Sequence, residues 1–423
     1  MNNKLKYWFK LITITGSSQL IIQVVALLIG FLIIRVLPVE EYAIYTLANS
    51  LLATMTLLSD GGIATGVLSE GGKKWEDKKN LGVIVKTGLV LRKSFAKYSL
   101  LFAIPIGVFL LMYNDVSVLM SAIIVVSIIP AFSANLSDSI LQIPIQLNQD
   151  IKRLQKNQLE VSLIRLILTV IIIVLFPFAF LVLLAYGVPR IYGNFKLKKI
   201  TTDFADLDEN ESEEVRNDIL KTVKRRLPEM IFYCLSGQLT IWLISIYGET
   251  KDIASLGAIG RFSIMLNFTL ILFTTLLIPR FARTYSKGGD LLKKYLGTIF
   301  LSLIIAVLFV FFVSSFKEQL LWVLGNGYLD LKTELILSSV SGALIFVQSI
   351  IFHLNNAKGL IINPYLYIVV SIVVILSSFY INDVSTVSGV ISFSILIVLA
   401  QLIMLFFYGL YRLIYANNCI ITL

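Results

Sequence analysis

Six ionisable side chains interrupt otherwise apolar stretches of this chain: Arg35, Asp60, Asp138, Arg165, Arg261 and His353. A charge inside a bilayer costs several kcal/mol unless it is paired or hydrated, so each is a candidate for function. The arginines suit an anion, because a guanidinium is a planar fork that grips a phosphate through two hydrogen bonds. Asp60, Asp138 and His353 suit ion coupling, since carboxylates and imidazole take up protons and a carboxylate also holds Na⁺. Gln23, Asn49 and Asn267 add carboxamides, which both donate to and accept from sugar hydroxyls. The competing reading is structural: terminal charges snorkel, buried ones pair, and amides tie helices together. His353 is the single histidine and Cys234 and Cys419 are the only cysteines. A zinc set or a disulfide framework is therefore not expected, and no cofactor is implied.

The elements that must position these side chains are transmembrane helices. The chain is 57% hydrophobic and only 15% charged, against about a quarter charged in soluble domains. Apolar runs long enough to span a bilayer recur along the whole length. Helices are the natural spanning form, because every backbone polar group must be paired in hydrocarbon. Twelve segments are expected, near 11–37, 41–69, 94–113, 116–142, 158–175, 178–192, 229–248, 254–280, 296–314, 334–357, 364–381 and 385–412. No small-residue cleavage site follows the first, so it reads as retained. The most polar stretch, 193–228, falls between two sets of six and reads as a soluble linker with an acidic run from Asp203 to Asp218. The expected organisation is a lobe over 1–192, a linker over 193–228 and a lobe over 229–423. Each half has an even number of crossings, so the lobes are parallel repeats about an axis along the membrane normal.

Orientation follows from charge. With the N-terminus inside, Arg35, Lys251, Lys317 and Lys332 lie outside and Arg165 and Arg261 lie within helices. The remaining Lys and Arg, out of 36 in all, fall on the inner side. That asymmetry puts both termini and the linker in the cytoplasm, and it accounts for the net charge of +10 without nucleic acid as a partner.

The stretch "IIRVLPVEEYAIYTLANSLLATMTLLSDGGI" (33–63) resembles the first two helices of bacterial polysaccharide flippases of the O-antigen type. "SLGAIGRFSIMLNFTLILFTTLLIPRFART" (255–284) resembles their eighth helix, ending in Pro279-Arg280. Pro38 and Ala43 depart from the family, which usually has glycine there. These flippases belong to a superfamily shared with the multidrug (MATE) antiporters and the lipid II flippase. The resemblance implies a MATE-like all-helical fold. It also implies export of an undecaprenyl-pyrophosphate-linked oligosaccharide, for O-antigen lipopolysaccharide or a capsule, across the bacterial inner membrane by alternating access. It further implies coupling to H⁺ or Na⁺, membrane lipids as surroundings and polysaccharide polymerase machinery as a partner. Arg261, Arg35, Arg165, Gln23, Asn49 and Asn267 are then candidate substrate contacts, and Asp60, Asp138 and His353 candidate coupling residues. A MATE-type multidrug or cation antiporter is the alternative, but its cavity would want acids, and the arginines tilt the balance toward an anion. An enzyme is not expected, because no external loop is long enough to hold a catalytic set.

Overall fold

In the computed structural model, residues 2–278, 281, 289–358, 360 and 362–415 are described. They are helices joined by short turns. The chain divides into two compact units, Met1–Ile246 and Tyr247–Leu423. In the first unit α1 covers Asn2–Val36, α2 Val39–Asp60, α3 Ile63–Lys73 and α4 Lys78–Tyr113. It continues with α5 Val118–Leu147, α6 Ile151–Leu175, α7 Ala179–Thr201 and α8 Glu213–Tyr247. The second unit holds α9 Thr250–Ile259, a 3₁₀ turn Gly260–Ser263, α10 Ile264–Leu272 and a π turn Phe273–Leu277. Then come α11 Gly289–Ser315, α12 Lys317–Leu324, α13 Lys332–Ala357, α14 Pro364–Ile381 and α15 Val387–Tyr415.

Among the described residues ten helices are long and apolar enough to cross a membrane. The α2–α3 pair, bent by 43° at its break, makes an eleventh. Of the twelve expected segments, the one near 178–192 falls outside this set. Its helix, α7, carries Arg190, Lys196, Lys198 and Lys199, which lower its hydropathy. At 23 residues it is nevertheless about 34 Å long, enough to span.

Helix ends follow local chemistry. Asp77 caps α4 by accepting from the N–H groups of Lys79 and Asn80. The α7 N-terminus is capped from a distance, with Ala179 N–H donating to Glu41 Oε2 at 2.7 Å. The break after Asp60 is made by Gly61 and Gly62, whose φ values of +51° and +94° suit glycine. In the first unit α5 packs on α7, α2 on α4, and α6 on both α1 and α7. In the second, α13 packs on α15 and α11. Exposed Leu, Ile, Val and Phe cover long stretches of both units, as lipid-facing surfaces do.

The 193–228 stretch, read as linker, is mostly helical. α7 continues through Thr201 and α8 begins at Glu213. The short connection between them is docked. Asp206 N–H donates to the Lys78 carbonyl at 2.9 Å and Ser212 N–H to Thr87 Oγ1 at 3.1 Å. Ala205, Leu207, Ile219 and Val223 are buried with Val67, Leu81 and Ile140 in one apolar cluster. The acidic side chains stand on the outer face, and the apolar residues spaced among them make the contact.

Candidate functional site

A cavity of about 780 Å³ lies inside the first unit, among α1, α2, α4, α5, α6 and α7. Each wall is one face of a helix. On α2, Asn49, Leu52, Ala53 and Thr56 line it, and the same face runs on to Asp60, eleven residues past Asn49. On α5 the lining positions are Asn135, Asp138, Ser139 and Gln142; on α7 they are Tyr186, Arg190, Gly193 and Leu197. The spacings are i, i+3, i+4 and i+7 on α2 and α5 and i, i+4, i+7 and i+11 on α7, a single helical stripe each. Close approach of α5 and α7 depends on Gly187, where a Cβ would meet Ala131 N at 2.8 Å and Pro130 Cβ at 2.9 Å.

Arg92 projects from α4, where it is only 2% exposed. It donates to Ser139 Oγ and pairs with Asp60 Oδ1 at 3.3 Å. Arg190 donates to Asn135 Oδ1. Asp138 Oδ1 accepts from Asn194 Nδ2 at 2.6 Å, with both Arg92 and Arg190 near enough to act on it electrostatically. The guanidiniums of Arg165 and Arg190 both stand over the Tyr186 ring, at 4.2 and 4.7 Å from its centroid. Three arginines and two aspartates thus form one charge group, with Arg92 buried, the other four half-buried and the cations in excess. Carboxamides of Asn49, Asn135, Gln142, Asn157 and Gln158 and hydroxyls of Thr56, Ser139 and Ser162 add to the polar lining. Such a cavity can bind an anion and a polyhydroxylated group side by side.

The residues singled out from sequence distribute unevenly. Asn49 and Asp138 line the cavity, Asp60 joins it through Arg92, and Arg165 joins it through Tyr186. Gln23 is half-buried on α1 outside the lining, and Arg35 is exposed one residue before the end of α1. The other three belong to the second unit. Arg261 is half-buried in the 3₁₀ turn, Asn267 is exposed on α10, and His353 is half-buried on α13 with its ring edge-on to Phe352. Arg92, Tyr186, Arg190 and Asn194 were not among the candidates. The charge count groups Arg92 with the other inner-side Lys and Arg, but α4 begins at Lys78, so Arg92 lies about four turns inside the helix. The i, i+4, i+8 series Tyr186, Arg190, Asn194 was the available signal for α7.

No protein-family model and no curated protein matches this chain in sequence. Its fold does match solved structures. A multidrug-resistance MATE transporter of the MOP superfamily in an inward-facing conformation aligns with a TM-score of 0.68 at 14% identity, covering 95% of this chain and 96% of that one. An outward-facing MATE transporter of the same superfamily aligns with a TM-score of 0.65 at 15% identity, over 97% and 96% of the two chains. A eukaryotic MATE transporter aligns with a TM-score of 0.66 at 14% identity, over 96% and 94%. The fold is therefore that of MATE transporters, an all-helical architecture of apolar spans.

Proposed function

We propose that the chain is a transporter working by alternating access. Its cargo in this reading is a lipid-linked oligosaccharide bearing a pyrophosphate, carried from the inner to the outer leaflet of a bacterial inner membrane. Solved structures of the same fold include inward-facing and outward-facing conformations, which supports the transport mode. The composition of the first-unit cavity carries the choice of cargo. Its cationic side chains outnumber its acids, and five carboxamides line it. Guanidiniums bind phosphate or acidic sugars in bidentate fashion, and carboxamides match sugar hydroxyls. The cavity volume of about 780 Å³ fits a ligand of several rings. Coupling to H⁺ or Na⁺ falls more naturally to Asp138, which lines the cavity, than to Asp60, which reaches it only through Arg92. Both termini lie in the cytoplasm, and the cargo passes on to polymerase machinery.

Arg190 gives the test. Arg190→Ala should lower surface oligosaccharide in a cell lacking its own flippase by roughly tenfold or more, because a charge-assisted hydrogen bond is worth about 1.5–3 kcal/mol. Arg190→Lys should retain part of it. Wild-type export by Arg190→Ala at equal expression would remove the cavity from the pathway.

One observation favours a second reading, a multidrug or cation antiporter. Asp138 presents a carboxylate to the cavity, and the inward-facing and outward-facing fold neighbours are multidrug-resistance transporters. Export of a fluorescent organic cation from everted vesicles, abolished by Asp138→Asn, would select that reading.

A further inference from the structure

We infer that Arg92 is a positioning residue that links occupancy of the first-unit cavity to the break between α2 and α3. The inference rests on the cavity being the cargo site proposed above. Arg92 touches both places. It lines the cavity, and its NH1 is 3.3 Å from Asp60 Oδ1. Asp60 is the last residue of α2, and its other oxygen accepts from Gly62 N–H at 3.3 Å. One carboxylate therefore joins Arg92 to the turn at which the two helices bend by 43°.

The pair is held loosely. At 3.3 Å it is an ion pair without a hydrogen bond, and Asp60 Oδ1 accepts none. Arg92 Nε is buried and has no hydrogen-bond partner among the described residues. A buried guanidinium in this condition is under-satisfied. Asp138 lines the same cavity as this guanidinium. An anion in the cavity offers what is missing, a bidentate partner for Nε and a terminal nitrogen. As Arg92 turns to it, Asp60 loses its counter-charge and the break loses its tie to α4. The turn is built to respond, since Gly61 and Gly62 both have positive φ. Its surroundings are close-fitting. A Cβ on Gly61 would lie 3.1 Å from Phe95 and 3.2 Å from Leu227, and one on Gly66 would lie 2.9 Å from Ile219. Movement of α3 therefore reaches α8 directly.

Hydrogen exchange at residues 61–67 tests this in the purified full-length protein in lipid nanodiscs, with inorganic pyrophosphate as probe and calorimetry to record its binding. Pyrophosphate should speed exchange there roughly tenfold, as loss of a local tie does. Asp60→Asn keeps an acceptor for Gly62 N–H but no charge. It should exchange fast without the probe and respond to it no further. Asp60→Glu should behave as wild type. The double variant D60N/R92Q removes the buried charge along with its partner, guards against misfolding of the single one, and should also be unresponsive. Heat of binding with unchanged exchange in the wild type would overturn the link while leaving the cavity reading intact. Wild-type exchange in Asp60→Asn would overturn it as well. Absence of binding to the wild type would remove the anionic-cargo reading, and the link with it.

Discussion

The charge group in the first unit shows what a half-buried arginine needs. Arg165 and Arg190 repel each other, yet both stand over Tyr186, whose ring face is negative and attracts each cation. The contact is made by the ring, not by the hydroxyl. Tyr186→Phe should therefore leave the melting temperature of the purified protein within about a degree. Tyr186→Leu should lower it by a few degrees, since cation–π contacts are worth about 0.5–2 kcal/mol each. Equal melting of the two variants would show that the ring face does not hold the arginines. At this scale the sequence was only partly legible. Asn49, Asp60, Asp138 and Arg165 stood out because charges and amides are conspicuous among apolar neighbours. Arg92 and Arg190 did not, because each sits near other basic residues and so passed as part of an inner-face cluster. What distinguishes them is helical phase, which puts Arg190 four residues from Tyr186 and Asn194, and Arg92 on the face of α4 toward α2 and α5.

Helix boundaries were more legible where turn chemistry marks them. The Asn363-Pro364 start of α14 and the Asp60-Gly61-Gly62 break both fall where the residues dictate, since Asn363 caps the N-H of Tyr365 and glycine permits positive φ. Boundaries failed where charge continues into a helix. α4 starts at Lys78 and α8 at Glu213, well before their apolar stretches, because hydropathy falls while helix propensity does not. Asp77 secures the first of these starts. Its hydrogen bond from Asn80 N–H holds its carboxyl below the usual range. The folded-state value is depressed, so the stabilisation is present above the ordinary aspartate range and is lost as pH falls through the folded value. Asp77→Ala should thus lower the melting temperature at neutral pH, and the difference from wild type should shrink in acid. A difference independent of pH would assign the effect to something other than the carboxylate. Gly187 tests the α5–α7 contact in the same way. Gly187→Leu should destabilise by about 1–3 kcal/mol or more, the usual cost of overpacking, because the added side chain meets the α5 backbone at Ala131. Among the described residues no atom lies within 4 Å of a Cβ at Gly237, so Gly237→Ala is the control that should not destabilise, helix propensity favouring it by about 0.5–1 kcal/mol.

For the whole molecule, topology is a matter of counting crossings, and the count can be broken at one helix. Between residues 210 and 325 lie three apolar helices, Met230–Tyr247, Thr250–Leu272 and Asp290–Ser315. If each of the three crosses, the two positions are expected on opposite sides of the membrane. In the orientation proposed above, residue 210 is expected in the cytoplasm and residue 325 outside, as the bias of Lys and Arg requires. Between Glu40 and residue 210 the decision rests on α7. The α2–α3 pair, α4, α5 and α6 make four crossings, and α7 makes a fifth only if it spans despite its charges. Its packing argues that it does. It lies along α5 and α6, Arg190 and Asn194 bond into α5, and Lys196 is paired with Glu160 of α6. Charges satisfied in this way do not have to face lipid, so a hydropathy threshold undercounts the helix. Single cysteines at Glu40 and residue 210, in a chain with Cys234 and Cys419 replaced, should react with a membrane-impermeant maleimide from opposite faces of the membrane. Labelling from the same face would mean that α7 does not cross, and the twelve-segment reading would fall at that helix.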